Sequence, residues 1–257
     1  MFSRLTPLSA SSNGYVTAHP RGRVVIILLA ANAVCSALLI LAEVAQLGFP
    51  EFTEGQAFDD NPAGLAALVL YLAFTILGAV IFIITTVVFL MWLHRSSSNL
   101  PAFGYWKSQG YSPAWAVGSF FVPIANLFMP YQALKEIWQK SRPANSQSFS
   151  FSTSPPGFFP AWWAFWLASN IATNIHFRIS GEVPHEAKII VGIVSEVLSI
   201  AAAAFAIQVI REIDQRQGET IKHVSTIEER PLPPPPPVFE ENSSATELPS
   251  ASIEPVR

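Results

Sequence analysis

The stretch GLAALVLYLAFTILGAVIFIITTVVFLMW, residues 64–92, runs for 29 residues without one charged side chain. As α-helix it extends about 43 Å at 1.5 Å per residue, against a bilayer hydrocarbon core of about 30 Å. A helix that long must tilt or protrude. Asn61 and Pro62 stand just ahead of it. Asn suits the N-cap, and proline suits the first helical position, where its missing N–H has no partner to lose. A transmembrane helix is the reading from which the rest of the fold follows.

Upstream, residues 24–47 form a second apolar run behind a polar, Ser/Thr-rich segment, 1–23, that carries Arg4, Arg21 and Arg23. The apolar core of a signal peptide is about 7–15 residues long, so this run reads as an uncleaved anchor. Between the two runs lies a short loop with Glu51, Glu54, Asp59 and Asp60 and no Lys or Arg. Downstream, residues 158–177 open with Trp162, Trp163 and Trp166, a cluster suited to the headgroup boundary. Pro184 starts the last helix, apolar over 189–210 and amphipathic to Gly218, where a C′ glycine would end it. From Glu219 the chain is acidic and Ser-rich and carries the run Pro233–Pro237. Its apolar content is too low to support folding, so 219–257 reads as a disordered Pro-rich cytoplasmic tail.

The middle segment, 111–138, is apolar enough to span but is cut by Pro113, Pro123 and Pro130. Ser112–Pro113 is a cap followed by a first helical position. From there to Val122 is only about 15 Å of helix, and Pro123 removes a backbone hydrogen bond. Pro130 opens a second, amphipathic helix bearing Lys135 and Glu136. The expected architecture is an all-α membrane protein: four transmembrane helices within 24–218, plus a proline-broken re-entrant or interfacial helical segment.

Basic residues set the orientation. Arg4, Arg21 and Arg23 precede the first span; Arg95, Lys107, Lys135, Lys140 and Arg142 lie between the second and third; only Arg178 and Lys188 lie between the third and fourth. That bias places the N-terminus, 93–157 and the tail in the cytoplasm of a protein of the cell (plasma) membrane.

Composition agrees with a membrane class. Of 257 residues 51% are hydrophobic and 13% charged, where soluble domains carry about 25% charged. A net charge of −3, with no basic face interleaved with aromatics, argues against nucleic-acid binding. The single cysteine, Cys35, forms no internal disulfide or zinc cluster and reads as a small hydrophobe. His94, His176 and His185 lack ligand spacing, which argues against a metal. No nucleophile elbow or phosphate loop points to catalysis or to a cofactor.

The stretch YSPAWAVGSFFVPIANLFMPYQALKEIW (111–138), with FLMWLHRSSSNL (89–100) and AWWAFWLASNIATNI (161–175), resembles a bacterial membrane-protein family catalogued as domain of unknown function 4328. Ser112, Pro113, Trp115, Gly118, Pro123, Asn126, Pro130, Tyr131 and Trp138 match its pattern over a region of roughly 25–215. Ala114 departs from it, standing where glycine is expected. The resemblance implies a bacterial, multi-pass membrane fold and no particular activity.

Six polar residues form the candidate intramembrane site: Glu43, Asn126, Asn170, Asn174, Arg178 and Glu196. An intramembrane carboxylate costs at least about 2.5 kcal/mol and needs a reason. Asn32, Ser36 and Glu43 share one helix face, and Trp166, Asn170, Asn174 and Arg178 follow at steps of four. Gly192, Ser195, Ser199 and Ala203 form a small-residue ridge beside Glu196. Arg178 is expected to pair with Glu196 or Glu43, as an ion or proton-linked site or as a structural tie between helices. Asn126 is expected to cap its own broken backbone or to line a cavity there. Trp92, Trp106, Trp115 and Trp138 read as interface anchors or packing.

Two function classes remain open. One is a non-enzymatic interaction or regulatory module, with the lipid bilayer around it and a cytoplasmic protein partner met through the Pro-rich tail. The other is a small transporter or channel, a homo-oligomer using the outer carboxylates and the broken helix.

Overall fold

A computed structural model describes residues 14–48, 62–105, 109–142, 154–178 and 183–229. The acidic loop, Trp106, most of the Ser/Pro-rich linker and the Pro233–Pro237 run lie outside these residues. Helix α1 spans His19–Gly48, α2 Pro62–Ser98, α3 Pro113–Gly118, α4 Met129–Lys140, α5 Phe158–Arg178 and α6 His185–Glu228. Among the described residues there is no strand. Helices α1, α2 and α6 are long and apolar enough to cross a membrane. The 21-residue α5 is not among them; its three tryptophans and two asparagines dilute its apolar character.

The long helices pack as a row, α2 against α1, α1 against α6 and α6 against α5, with neighbours antiparallel. Gly22 of α1 meets Asp214 of α6 at one end, and Glu43 meets Gly192 at the other. Asn32 of α1 donates to Thr85 Oγ1 of α2 at 3.0 Å, and Phe165 of α5 stacks on Phe205 of α6 at 5.5 Å. The broken segment fills the gap between α2 and α5 at one end of this row. Phe120 packs edge-on against Phe89 of α2 and Trp166 of α5.

That end, here the tryptophan end, holds the core. Val25, Trp92, Leu93, Phe103, Leu134, Trp138, Phe159, Trp162, Ile210 and Ile213 are buried together there. Elsewhere the long helices present large apolar side chains outward, among them Ile76, Phe82 and Ile83 of α2, as helices in hydrocarbon do.

Proline and serine act as their chemistry dictates. Helix α2 begins at Pro62. Ser112 caps α3, its hydroxyl accepting from the Trp115 amide at 3.1 Å, with Pro113 just inside. The break is more complete than one removed hydrogen bond: after six residues α3 gives way to single 3-10 turns at Ser119–Phe121 and Ala125–Leu127.

The last helix corrects the sequence reading. It does not stop at Gly218 but runs to Glu228, so the segment expected to be disordered from Glu219 begins as helix. Gly218 has no left-handed backbone and a side chain there would meet open space. Ile210, Ile213, Gln217, Thr220 and Val224 are all buried, and their alternating spacing of three and four keeps one face of α6 on the core past the glycine.

Candidate functional site

The six candidate residues do not converge. At the end opposite the tryptophans, Glu43 is 6% exposed. Its Oε1 lies where a side chain on Gly192 would have to go, and His176 lies on the same spot. The absence of a Cβ at Gly192 therefore makes room for the carboxylate between α1, α5 and α6. Glu196, one turn beyond on α6, acts on Glu43 as a like charge, and Tyr71 of α2 is within electrostatic reach of both. Glu43 Oε2 has no hydrogen-bond partner.

Arg178 is exposed, and no ion pair joins it to Glu43 or Glu196. The expected pair is thus corrected. Helix periodicity puts Arg178 on the face of Asn170 and Asn174, and that face points away from α6. Both asparagines are exposed and bond to their own helix, Asn170 Nδ2 to Trp166 O at 2.7 Å and Asn174 Nδ2 to Asn170 O at 2.8 Å. The group that does link α5 to the start of α6 is His176, whose Nδ1 lies 3.2 Å from Lys188 O.

Asn126 sits at the tryptophan end, far along the bundle from the carboxylates. Its Oδ1 is buried and makes no hydrogen bond, so it does not cap the broken backbone as expected. Trp163 does: its indole N–H donates to Leu127 O at 3.0 Å. Of the tryptophans expected at the headgroup boundary, Trp162 and Trp163 are buried inside the protein, and Trp92 and Trp138, read as interface anchors or packing, serve as packing.

The polar site that sequence reasoning missed is at this end. Gln217 is 1% exposed. Its Nε2 donates to Ser96 O at 2.9 Å and Ser141 Oγ at 3.2 Å, and its Oε1 accepts from Asn99 Nδ2 at 3.0 Å. Asn99 Oδ1 in turn accepts from the Val16 amide, and Thr220 donates to Ser141 O at 3.0 Å. One glutamine thus ties together the entry to α1 and the ends of α2, α4 and α6. Beside it Trp92 Nε1 donates to Asp214 Oδ1 at 2.9 Å, and His19 approaches the other oxygen at 3.5 Å. Trp138 donates to Glu212 Oε1 at 3.2 Å, and the Arg216 guanidinium lies 4.0 Å from its ring centre. Burial raises the Tyr105 hydroxyl above its ordinary pKa at the edge of this cluster.

A groove of about 620 Å³ opens at the same end, between α4, α5 and the turn at Gly110–Tyr111. Glu136 on its wall accepts from the Gly110 and Tyr111 amides at 2.5 and 3.0 Å and from Lys140 at 2.5 Å. The groove does not include Glu43 or Glu196.

These features define an all-helical membrane protein with a hydrogen-bonded helical platform at one end of its bundle. The chain belongs to the family described as domain of unknown function (DUF4328), whose profile matches residues 59–215. The match includes α2, the broken segment, α4 and α5; all of α1 and the end of α6 lie outside it. No curated protein and no solved structure matches the chain.

Proposed function

We propose that the protein is a non-enzymatic interaction or regulatory module with four membrane spans, both ends in the cytoplasm, that presents its platform to a cytoplasmic protein partner. The observation that carries this reading is the length and anchoring of α6. Its 44 residues extend about 66 Å, over twice the hydrocarbon core. The excess is pinned to the platform by Gln217 and Thr220. A rigid rod leaving a membrane beside a polar platform is a mount for binding, and the Pro-rich tail continues from its tip. Helix α5 serves as the fourth span: its 21 residues make about 31 Å of helix, and it runs antiparallel along α6. The transport reading has less support, because Asn126 and the carboxylates lie at opposite ends of the bundle and none of them lines the groove.

Two measurements test this. In a Cys35→Ser background, Ser154→Cys and Lys222→Cys are expected to react with an impermeant thiol reagent only after permeabilisation, and Asp59→Cys in intact cells. Opposite labelling of Ser154→Cys and Lys222→Cys would exclude α5 as a span. A photo-crosslinker at Lys222 or Thr226, both exposed, is expected to form an adduct with one protein that a crosslinker at Val194 does not. No such adduct would defeat the module reading.

A further inference from the structure

The groove beside the broken segment has two unlike walls. One is apolar: Leu127, Phe128 and Leu167 line it, and Leu127 and Phe128 are exposed. Earlier in the same break Phe121, Val122 and Ile124 are also exposed, the last 74%, so the break turns apolar side chains outward. Side chains of this kind belong in hydrocarbon. The other wall is the polar face of α4, with Gln132, Lys135, Glu136 and Gln139; the opposite face of α4 is buried through Ala133, Leu134 and Ile137. The polar face of α4 is thereby left toward the groove, beside apolar side chains that favour hydrocarbon.

The charges on the polar wall do not cancel. Glu136 is satisfied by two backbone amides and Lys140. Lys135 has no ion-pair partner among the described residues. Gln132 commits its oxygen to the Tyr111 hydroxyl at 2.6 Å, which leaves its NH₂ as a donor. One uncompensated cation and an amide donor therefore face a cavity whose far wall is apolar. Its volume is in the usual range for small-molecule sites, about 300–1,000 Å³.

We propose that this groove holds an anionic phospholipid, its phosphate on Lys135 and the Gln132 amide and its first acyl carbons against Phe128 and Leu167. A zwitterionic lipid places a cation beside Lys135 and binds less well. A soluble anion lacks the chain that the apolar wall receives. The site is independent of any protein partner at the tip of α6.

The test is native mass spectrometry of the full chain released from detergent, titrated with phosphatidylglycerol or phosphatidylcholine of matched chains. The wild type is expected to retain phosphatidylglycerol about five-fold more than phosphatidylcholine, the share one Lys contributes at an anionic surface. Lys135→Gln is expected to remove that preference and Lys135→Arg to keep it, while Lys222→Gln, distant on α6, leaves it unchanged. Excess inorganic phosphate is expected not to displace the lipid. Equal retention of the two lipids by the wild type would overturn the proposal, and so would an undiminished preference in Lys135→Gln. Displacement by inorganic phosphate would overturn the lipid as occupant. The lipid comparison on the wild type decides the matter even if a variant folds poorly.

Discussion

At the tryptophan end of the bundle a buried glutamine is bonded through both ends of its amide to other elements; at the opposite end a buried carboxylate oxygen has no hydrogen-bond partner and a second carboxylate stands within electrostatic reach. Gln217, Asn99, Ser141 and Thr220, with the Val16 amide, join four separate stretches of chain. Glu43 and His176 share a space that a glycine leaves open, with Glu196 and Tyr71 within electrostatic reach. The contrast shows where specificity resides. Apolar helices in a bilayer gain little from hydrophobic contact with one another, because the lipid is equally apolar. Hydrogen bonds and close packing must then define the arrangement, and both are concentrated at one end.

The contrast can be broken by substitution. Gln217→Leu strands the Asn99 amide and the Ser96 carbonyl inside the platform, and each stranded buried group costs about 1–3 kcal/mol. A loss of about 3 kcal/mol in an SDS unfolding titration is expected; a loss no larger than that of a surface variant would dissolve the distinction between the ends. Gly22→Ala comes next. The added methyl meets the Asp214 carboxylate and comes within 3.1 Å of Trp92 Nε1, so the Trp92–Asp214 bond opens at a cost of about 1–3 kcal/mol. The indole environment, read by tryptophan fluorescence, is expected to shift with it.

Glu43→Gln has the opposite sign. It removes a like charge from Glu196 and keeps the shape, so stability is expected to rise by about 1 kcal/mol, since an unpaired buried charge is costly. A loss above that size would show that the carboxylate has a partner the contrast does not include. Gly218→Ala, with nothing near its side chain, is expected to gain about 0.5–1 kcal/mol by lowering the entropy of the unfolded chain. The smallest effect is Arg178→Gln, expected to change stability by less than about 0.5 kcal/mol, as surface substitutions do.

Much of the fold was legible in the chain. Pro62, Ser112–Pro113, Pro130 and Pro184 each mark a helix start in the structure as their local chemistry requires. The polar face Asn32–Ser36–Glu43 was legible too: all three turn toward neighbouring helices. The end of α6 was misread because Gly218 was weighed as a stop signal, while the stripe from Ile210 to Val224 that continues past it carried the stronger information. That stripe includes Gln217 and Thr220, polar residues at core positions, which hide a buried face from a reading that counts only apolar side chains.

The candidate site was less legible for a different reason. Periodicity states which residues share a face; it does not state which neighbour that face meets. Arg178 and Glu196 were placed at the same level of the bundle, yet the face of Arg178 turns outward. Asn126 was given the task of closing the broken backbone because it lies within the break, but Trp163, 36 residues away, reaches Leu127 O instead.

The apolar run at 64–92 and the prolines of 111–138 together determined, without any tertiary information, that the chain is helical, made for a membrane and broken in its middle. These are local consequences of helix rise, side-chain hydrophobicity and a missing N–H. Only the tertiary structure decided that the break folds against α2 and α5 beside a groove, that Gln217 joins four segments, and that Glu43 is buried beside Gly192 without Arg178. Those outcomes depend on how whole helices rotate against one another, and that rotation is set by contacts between residues far apart in the chain.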